Sequence, residues 1–234
     1  PEADWRVLEP TELVSKGGAD LKVQPGGSIL ASGANPDDDV YTITTTGGPE
    51  HIRAFRIEAL PHPTFRNQGP GRYEYTGAFR MNELRVFVEG RPVELQSIVA
   101  NFDEADQSSE LIDGVVNERY WGNDGNQGKR MWVVVTTDLQ RSPDQPLKFE
   151  LVFSHGPYNQ RNLGHFRISA TADSKAPART RLLSACESDE LIDLDLTLGK
   201  AHAAQEQNAE SAVAVARALE KVATPDRLSS ILDS

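Results

Sequence analysis

Residues 40–59 read VYTITTTGGPEHIRAFRIEA and carry the clearest structural signal in the chain. Residues 40–46 are rich in β-branched side chains and end at two glycines, which is typical of a strand followed by a turn. In residues 55–59 the apolar positions alternate with Arg56 and Glu58, the pattern of a strand with one buried and one wet face. Both segments therefore predict strands of an all-β domain.

Five further runs extend this pattern up to residue 171. In residues 79–88 the phase of the apolar positions changes between Met81 and Leu84, which predicts a β-bulge. The other runs are residues 94–102, 131–137, 147–154 and 164–171. No crossover-helix pattern separates these runs, so residues 1–171 are predicted to form a two-sheet β-sandwich or jelly roll.

The composition excludes several classes of function. The 234 residues include 24 Lys and Arg against 35 Asp and Glu, a formal net charge of −11. This acidity argues against a nucleic-acid partner and against docking on anionic lipid, which both need clustered basic residues. No apolar run approaches the roughly 20 residues that cross a bilayer. Cys186 is the only cysteine, so an internal disulfide cannot form.

The composition changes after residue 171. Residues 172–199 are predicted to be a linker followed by an acidic stretch, and residues 200–234 a helical tail rich in alanine. The tail has few large apolar side chains, so it is expected to pack by a narrow stripe or against another chain. A protein partner docking through this helix is therefore one hypothesis for its role.

The run Asp37, Asp38 and Asp39 is the first candidate metal site. Three successive carboxylates repel one another, and a calcium ion would relieve that repulsion with oxygen ligands of the kind it prefers. The alternative is a solvated turn that begins at Asn35 and Pro36.

Two unusually long loops, residues 62–76 and 103–129, supply candidate ligand-binding side chains. Sugars present C–H faces that stack on aromatic rings, and hydroxyls that bind amides, carboxylates and guanidinium groups. Alternatively, the rings fasten the long loops to the core. The candidates in these loops are Arg72, Tyr73, Tyr75, Tyr120, Trp121, Asn123 and Asp124, and the same set includes Tyr158 and Asn159 from a later loop.

Motifs for catalysis are missing from the sequence. The five histidines show no metal-ligand spacing, and there is neither a nucleophile elbow nor a phosphate-binding loop. His165, at the start of a predicted strand, is expected to form a hydrogen bond with a neighbouring loop. A glycosidase needs only two carboxylates at a suitable distance, so a polysaccharide hydrolase is retained as the lowest-ranked hypothesis.

Ten short blocks in a fixed order carry a family resemblance. They are residues 5–10 (WRVLEP), 26–33 (GGSILASG), 35–42 (NPDDDVYT), 55–61 (FRIEALP), 69–72 (GPGR), 79–84 (FRMNEL), 100–103 (ANFD), 112–114 (IDG), 121–122 (WG) and 162–169 (NLGHFRIS). This series resembles the carbohydrate-binding-like, discoidin-related module of large planctomycete proteins that also carry cytochrome c domains. The chain has no Cys-x-x-Cys-His motif, so a cytochrome function is absent from it.

The resemblance implies a galactose-binding-like jelly roll, an extracytoplasmic location in the periplasm or cell envelope, and a role in glycan binding. It also implies that Asp113 and Asn117, with Trp121 nearby, could hold a structural calcium. The alternative at this point is an Asp-Gly turn, with Trp121 closing the edge of the sandwich.

The leading hypothesis is a non-catalytic glycan-binding module of a larger envelope protein. The alternative is a structural or protein-interaction module, in which the sandwich is a spacer and the C-terminal helix docks a partner.

Overall fold

The computed structural model describes residues 4–102, 108–123, 128–154 and 160–179. The chain divides into two units, Pro1–Pro177 and Ala178–Ser234. The predicted acidic stretch, Cys186 and the helical tail lie outside the described residues. No helix among the residues described is long and apolar enough to cross a membrane.

The first unit is built mostly from antiparallel strands, with 3-10 turns at Arg66–Gln68 and Ser108–Ile112. The strands are β1 (Arg6–Val7), β2 (Pro10–Ser15), β3 (Ala19–Val23), β4 (Ile29–Gly33), β5 (Asp39–Thr45), β6 (His51–Ala59), β7 (Arg80–Met81), β8 (Glu83–Val88), β9 (Arg91–Pro92), β10 (Ile98–Ala100), β11 (Trp121–Gly122), β12 (Met131–Gln140), β13 (Leu147–Phe153) and β14 (His165–Thr171).

Two large sheets and one small sheet contain these strands. The larger has the order β10-β12-β6-β14-β4-β3, with β1 also paired to β14, and the second has the order β2-β5-β13-β8-β9. Strands β7 and β11 form a two-stranded sheet. All of these pairs are antiparallel, so the predicted all-β, sandwich-like fold is confirmed.

The main hydrophobic core contains the inward-facing side chains of both large sheets. Phe55 of β6 meets Phe149 of β13 edge to face, with ring centroids 5.2 Å apart. Tyr41 of β5 stacks on Phe166 of β14 at 6.1 Å. The alternating residues of β5, with Tyr41, Ile43 and Thr45 buried, follow the period of two that the sequence shows.

Residues 79–88 differ from the predicted bulged strand. Strand β7 pairs with β11, whereas β8 pairs with β13, so the chain changes sheets at Asn82. The Asn82 amide nitrogen donates to the carbonyls of Asn117 and Arg119, both at 2.9 Å, and its oxygen accepts from the Ser154 N–H at 2.8 Å. The change of apolar phase therefore marks a change of sheet, which this buried amide holds in place.

The face of residues 55–59 that carries Arg56 and Glu58 is predicted to be exposed to solvent, but it is buried. Glu58 is fully buried on the side of β6 that faces away from the main core, where Arg167 donates to it at 2.8 and 3.1 Å. Arg130 also donates to Glu58, and Arg56 lies 3.6 Å away. The same face carries a second apolar cluster that includes Trp132. A carboxylate can be buried here because three guanidinium groups surround it.

Candidate functional site

The loop between β6 and β7, which contains the predicted long loop 62–76, folds back on itself through close backbone contacts. The Gly71 N–H donates to the Gly77 carbonyl at 2.9 Å, and the Gly77 N–H donates to the Tyr73 carbonyl at 2.7 Å. Gly77 has a φ of +73°, and a Cβ there would overlap the Arg66 carbonyl oxygen. Only glycine combines this φ with so close an approach, so the two limbs of the loop have one arrangement.

Arg72 ties this loop to its neighbours at one end of the sandwich. Its guanidinium donates to the carbonyls of Gly33 and Ala34 at 2.8 and 2.7 Å. The Asn35 amide donates to the Arg72 carbonyl at 3.2 Å, and Asn162 donates to the Asn35 side-chain oxygen at 3.0 Å. The sequence predicts that the Arg72 guanidinium binds a ligand, whereas here it holds the neighbouring loops together.

An open pocket of about 590 Å³ lies against this loop. Its lining residues include the aromatic Phe65, the basic Arg66 and the acidic Glu74. Asn67 and Gln68 also line it. Of the predicted ligand residues, Arg72 and Tyr73 form part of the wall.

In the loop between β6 and β7, a series of aromatic contacts leads to a ring that is exposed to solvent. The Arg161 guanidinium lies 4.1 Å from the centre of the Tyr73 ring. Tyr73 meets Tyr75 edge to face at 5.3 Å, and Tyr75 is 67% exposed. A hydrogen bond to the neighbouring Glu74 raises the pKa of Tyr75 above its ordinary value. The Tyr75 ring is thus held by Tyr73 while most of its surface is exposed to solvent.

The predicted ligand residues of the second long loop have a different environment. Trp121 is 1% exposed and meets Phe79 edge to face at 5.0 Å. The side-chain oxygen of Asn123, which is fully buried, accepts from the Phe79 N–H at 2.7 Å. Tyr120 lies under the Arg80 guanidinium, 4.1 Å from it. These side chains fasten the loop to the core and are not placed to stack on a ligand.

The remaining candidates, Asp124, Tyr158 and Asn159, lie outside the described residues.

The carboxylate of Asp39 stabilises a local turn, and calcium at residues 37–39 stays a prediction. It is buried, one oxygen accepts from the Ser15 hydroxyl at 2.6 Å, and the other accepts from the Gly17 N–H at 2.7 Å. These donors link Asp39 to the turn between β2 and β3. Asp37 and Asp38 are exposed loop residues.

Asp113 and Asn117 each stabilise a local turn. An Asp113 oxygen accepts from the Val115 N–H, and the Asn117 side-chain oxygen accepts from the Arg119 N–H, both at 2.7 Å. Within the described ranges, no group of three or more His, Cys, Asp or Glu residues could hold a metal ion. Calcium at this turn stays a prediction from the resemblance.

His165 binds two neighbouring segments, as the sequence predicts. Its Nε2 lies 3.0 Å from the Ser28 hydroxyl and its Nδ1 lies 3.4 Å from the Pro61 carbonyl. Burial lowers the pKa of His165 below its ordinary value. These contacts join the start of β14 to the segments before β4 and after β6.

Glu83 is an unusual group that the sequence does not single out. Its side chain is 2% exposed, and Oε1 accepts from the Gly114 N–H at 3.1 Å. Oε2 is buried and has no hydrogen-bond partner among the residues described. Burial raises the pKa of Glu83 to about 7; Arg85 opposes this shift and the charge of Asp113 adds to it. The alternating pattern of β8 marks Glu83 only as a polar strand position.

Replacing Glu83 by glutamine is expected to stabilise the protein at high pH. The folded pKa of about 7 lies above the ordinary 4.5, so stability falls as the pH rises from 4.5 to 7. At pH 8 we expect Glu83→Gln to raise the free energy of unfolding by about 2–3 kcal/mol. Urea unfolding at pH 5 and pH 8 measures this.

The stability gain from Glu83→Gln should be smaller at pH 5, because Glu83 is already protonated in the folded protein at that pH. Glu12→Gln, at an exposed position, is the control and should leave the pH dependence unchanged. Equal gains for Glu83→Gln at both pH values would contradict the raised pKa.

No protein-family model, curated protein or solved structure matches this chain. The function is therefore inferred from the chemistry of the loop pocket.

Proposed function

We propose that residues 1–171 are a non-catalytic carbohydrate-binding module of the galactose-binding-like, jelly-roll type. The observation that carries this proposal is the open pocket of about 590 Å³, with the exposed ring of Tyr75 on the same loop. The resemblance adds an extracytoplasmic location and a place within a larger envelope protein.

The chemistry of the pocket supports a sugar ligand. Sugar rings have apolar C–H faces that pack on aromatic rings, and hydroxyl groups that need both donors and acceptors. Tyr73 and Tyr75 offer the rings, while Asn67, Gln68 and Glu74 offer the polar groups. Because Arg72 and the close contacts of Gly77 fix the loop beforehand, binding would cost little additional ordering.

The non-catalytic part of the proposal depends on the carboxylates of the pocket wall. Glycoside hydrolysis generally needs two carboxyl groups that face each other across the scissile bond. Among the described residues that line the pocket, Glu74 is the only acid, and it interacts with Tyr75. A binding role therefore fits this wall better than hydrolysis.

Replacing Tyr75 by alanine is expected to weaken sugar binding at least about tenfold, because the variant loses an exposed stacking surface. Its Tm should stay close to that of the wild type, since the ring is 67% exposed. Affinity electrophoresis of the full chain in gels containing galactomannan, xyloglucan or mixed-linkage glucan measures the binding.

Tyr75→Phe keeps the ring and should retain most of the binding. Val116→Ala, at an exposed position of another loop, is the matched surface control and should migrate like the wild type. Wild-type migration unaffected by every polysaccharide in the panel would overturn the proposed function.

A further inference from the structure

Two consecutive residues of the pocket wall have an unfavourable backbone conformation. Asn67 and Gln68 have φ values of 53° and 54°, in the left-handed region that favours glycine. They lie in the short turn where the Phe65 carbonyl accepts from the Gln68 N–H and the Arg66 carbonyl accepts from the Gly69 N–H, both at 3.0 Å. Backbone strain of this kind often accompanies a functional site.

Glycine would satisfy this turn at a lower conformational cost than either side chain. The chain uses glycine at many other positive-φ positions, including Gly77 of the same loop. Asn67 and Gln68 therefore offer side chains that glycine lacks, and both residues line the pocket. The Asn67 amide nitrogen also reaches the Thr76 carbonyl at 3.5 Å, which restrains it against the other limb of the loop.

The amide groups and the charges around them indicate the class of ligand. Each amide offers an uncharged acceptor and two donors, a combination that matches neighbouring sugar hydroxyls. The wall carries one exposed cation, Arg66, and one carboxylate, Glu74, while the Arg72 guanidinium is bound to backbone carbonyls. A net charge of −11 repels polyanions from the whole molecule.

We propose that Asn67 and Gln68 determine the specificity of the pocket and that they select an uncharged sugar by hydrogen bonds to its hydroxyls. This inference rests on the proposed sugar-binding function and names the ligand class of the same site. Both residues belong to the pocket wall, where their amides can form hydrogen bonds to the hydroxyls of a ligand.

Asn67→Gly and Gln68→Gly test the proposal without breaking the turn, because glycine accepts a φ near +53°. Each variant is expected to raise the Tm by about 1–4 °C, while retardation by galactomannan or xyloglucan falls at least about tenfold. Glu89→Gly is the matched control, since Glu89 has a φ of 51° in the turn after β8. It should raise the Tm in the same way and leave retardation unchanged.

The possible outcomes separate the inference from the function on which it rests. If the wild type is retarded and both glycine variants are retarded equally, the specificity role is overturned while the proposed function stands. Retardation of the wild type by polygalacturonate as strong as by the neutral polymers would overturn the selection of an uncharged sugar. No retardation by any polymer would overturn the proposed function and the inference together.

Discussion

Replacing Glu58 by glutamine is expected to lower the free energy of unfolding by about 3–5 kcal/mol, the usual cost of removing one partner from a buried ion pair. The Glu58 carboxylate is fully buried and binds Arg167, Arg130 and Arg56. The neutral amide would remove one negative charge beside Arg56, whose side chain is only 9% exposed. Urea unfolding at pH 7 measures the loss.

The loss of unfolding free energy in Glu58→Gln should depend on pH. Burial by itself would raise the pKa of Glu58, but the hydrogen bond from Arg167 and the charges of Arg56 and Arg130 together lower it below 4.5. The contribution of Glu58 is therefore present above pH 4.5 and is lost as the pH falls through the folded-state pKa. The variant should approach the wild type in acid.

Glu150→Gln is the control for Glu58. Glu150 pairs with Lys148 at 2.8 Å on a partly exposed surface, so its loss should cost less than about 1 kcal/mol. Equal losses from the two variants would contradict the special role of the buried carboxylate.

Replacing Gly77 by alanine is expected to cost about 2–5 kcal/mol, from left-handed strain together with steric overlap. The added Cβ would overlap the Arg66 carbonyl, so the limbs of the pocket loop would have to separate. Retardation of the protein in polysaccharide gels should be lost along with this stability. Thermal unfolding and affinity electrophoresis of the same preparation measure both effects.

Gly90→Ala separates the two contributions. Gly90 has a φ of +76°, and a Cβ there meets nothing within 4 Å. It should cost only about 1–2 kcal/mol and leave retardation intact. A Gly77→Ala variant as stable as Gly90→Ala would show that the close backbone approach is unimportant.

The pattern of apolar and β-branched residues, which alternates in some runs, predicted the strands that line the core. It identified β5, β6, β12, β13 and β14, whose buried positions contact the opposite sheet. It did not identify β2, β3 and β4. Strands β2 and β3 lie at sheet edges and are largely exposed, so their sequences carry little alternation. Local patterning predicts a strand only where one of its faces is buried.

The site was predicted in part, because exposure depends on contacts between distant residues. The long loop 62–76 and its tyrosines stood out by length and composition, but Trp121 is buried by Phe79, which is remote in sequence. Asn67 and Gln68 have ordinary side chains, and only their backbone angles distinguish them. The pKa of Glu83 depends on a loop 31 residues further along the chain.

The pairing of β1 with β14 determines where the chain enters and leaves the sheets of the first unit. Arg6 pairs with Ala170, so the first and last strands end side by side. The pocket loops are at the other end of β14, where Leu60 donates to the His165 carbonyl at 2.8 Å. The seven residues of β14 separate the two ends by about 20 Å. Within the first unit, the chain therefore enters β1 and leaves β14 about one strand length from the loop that carries the pocket.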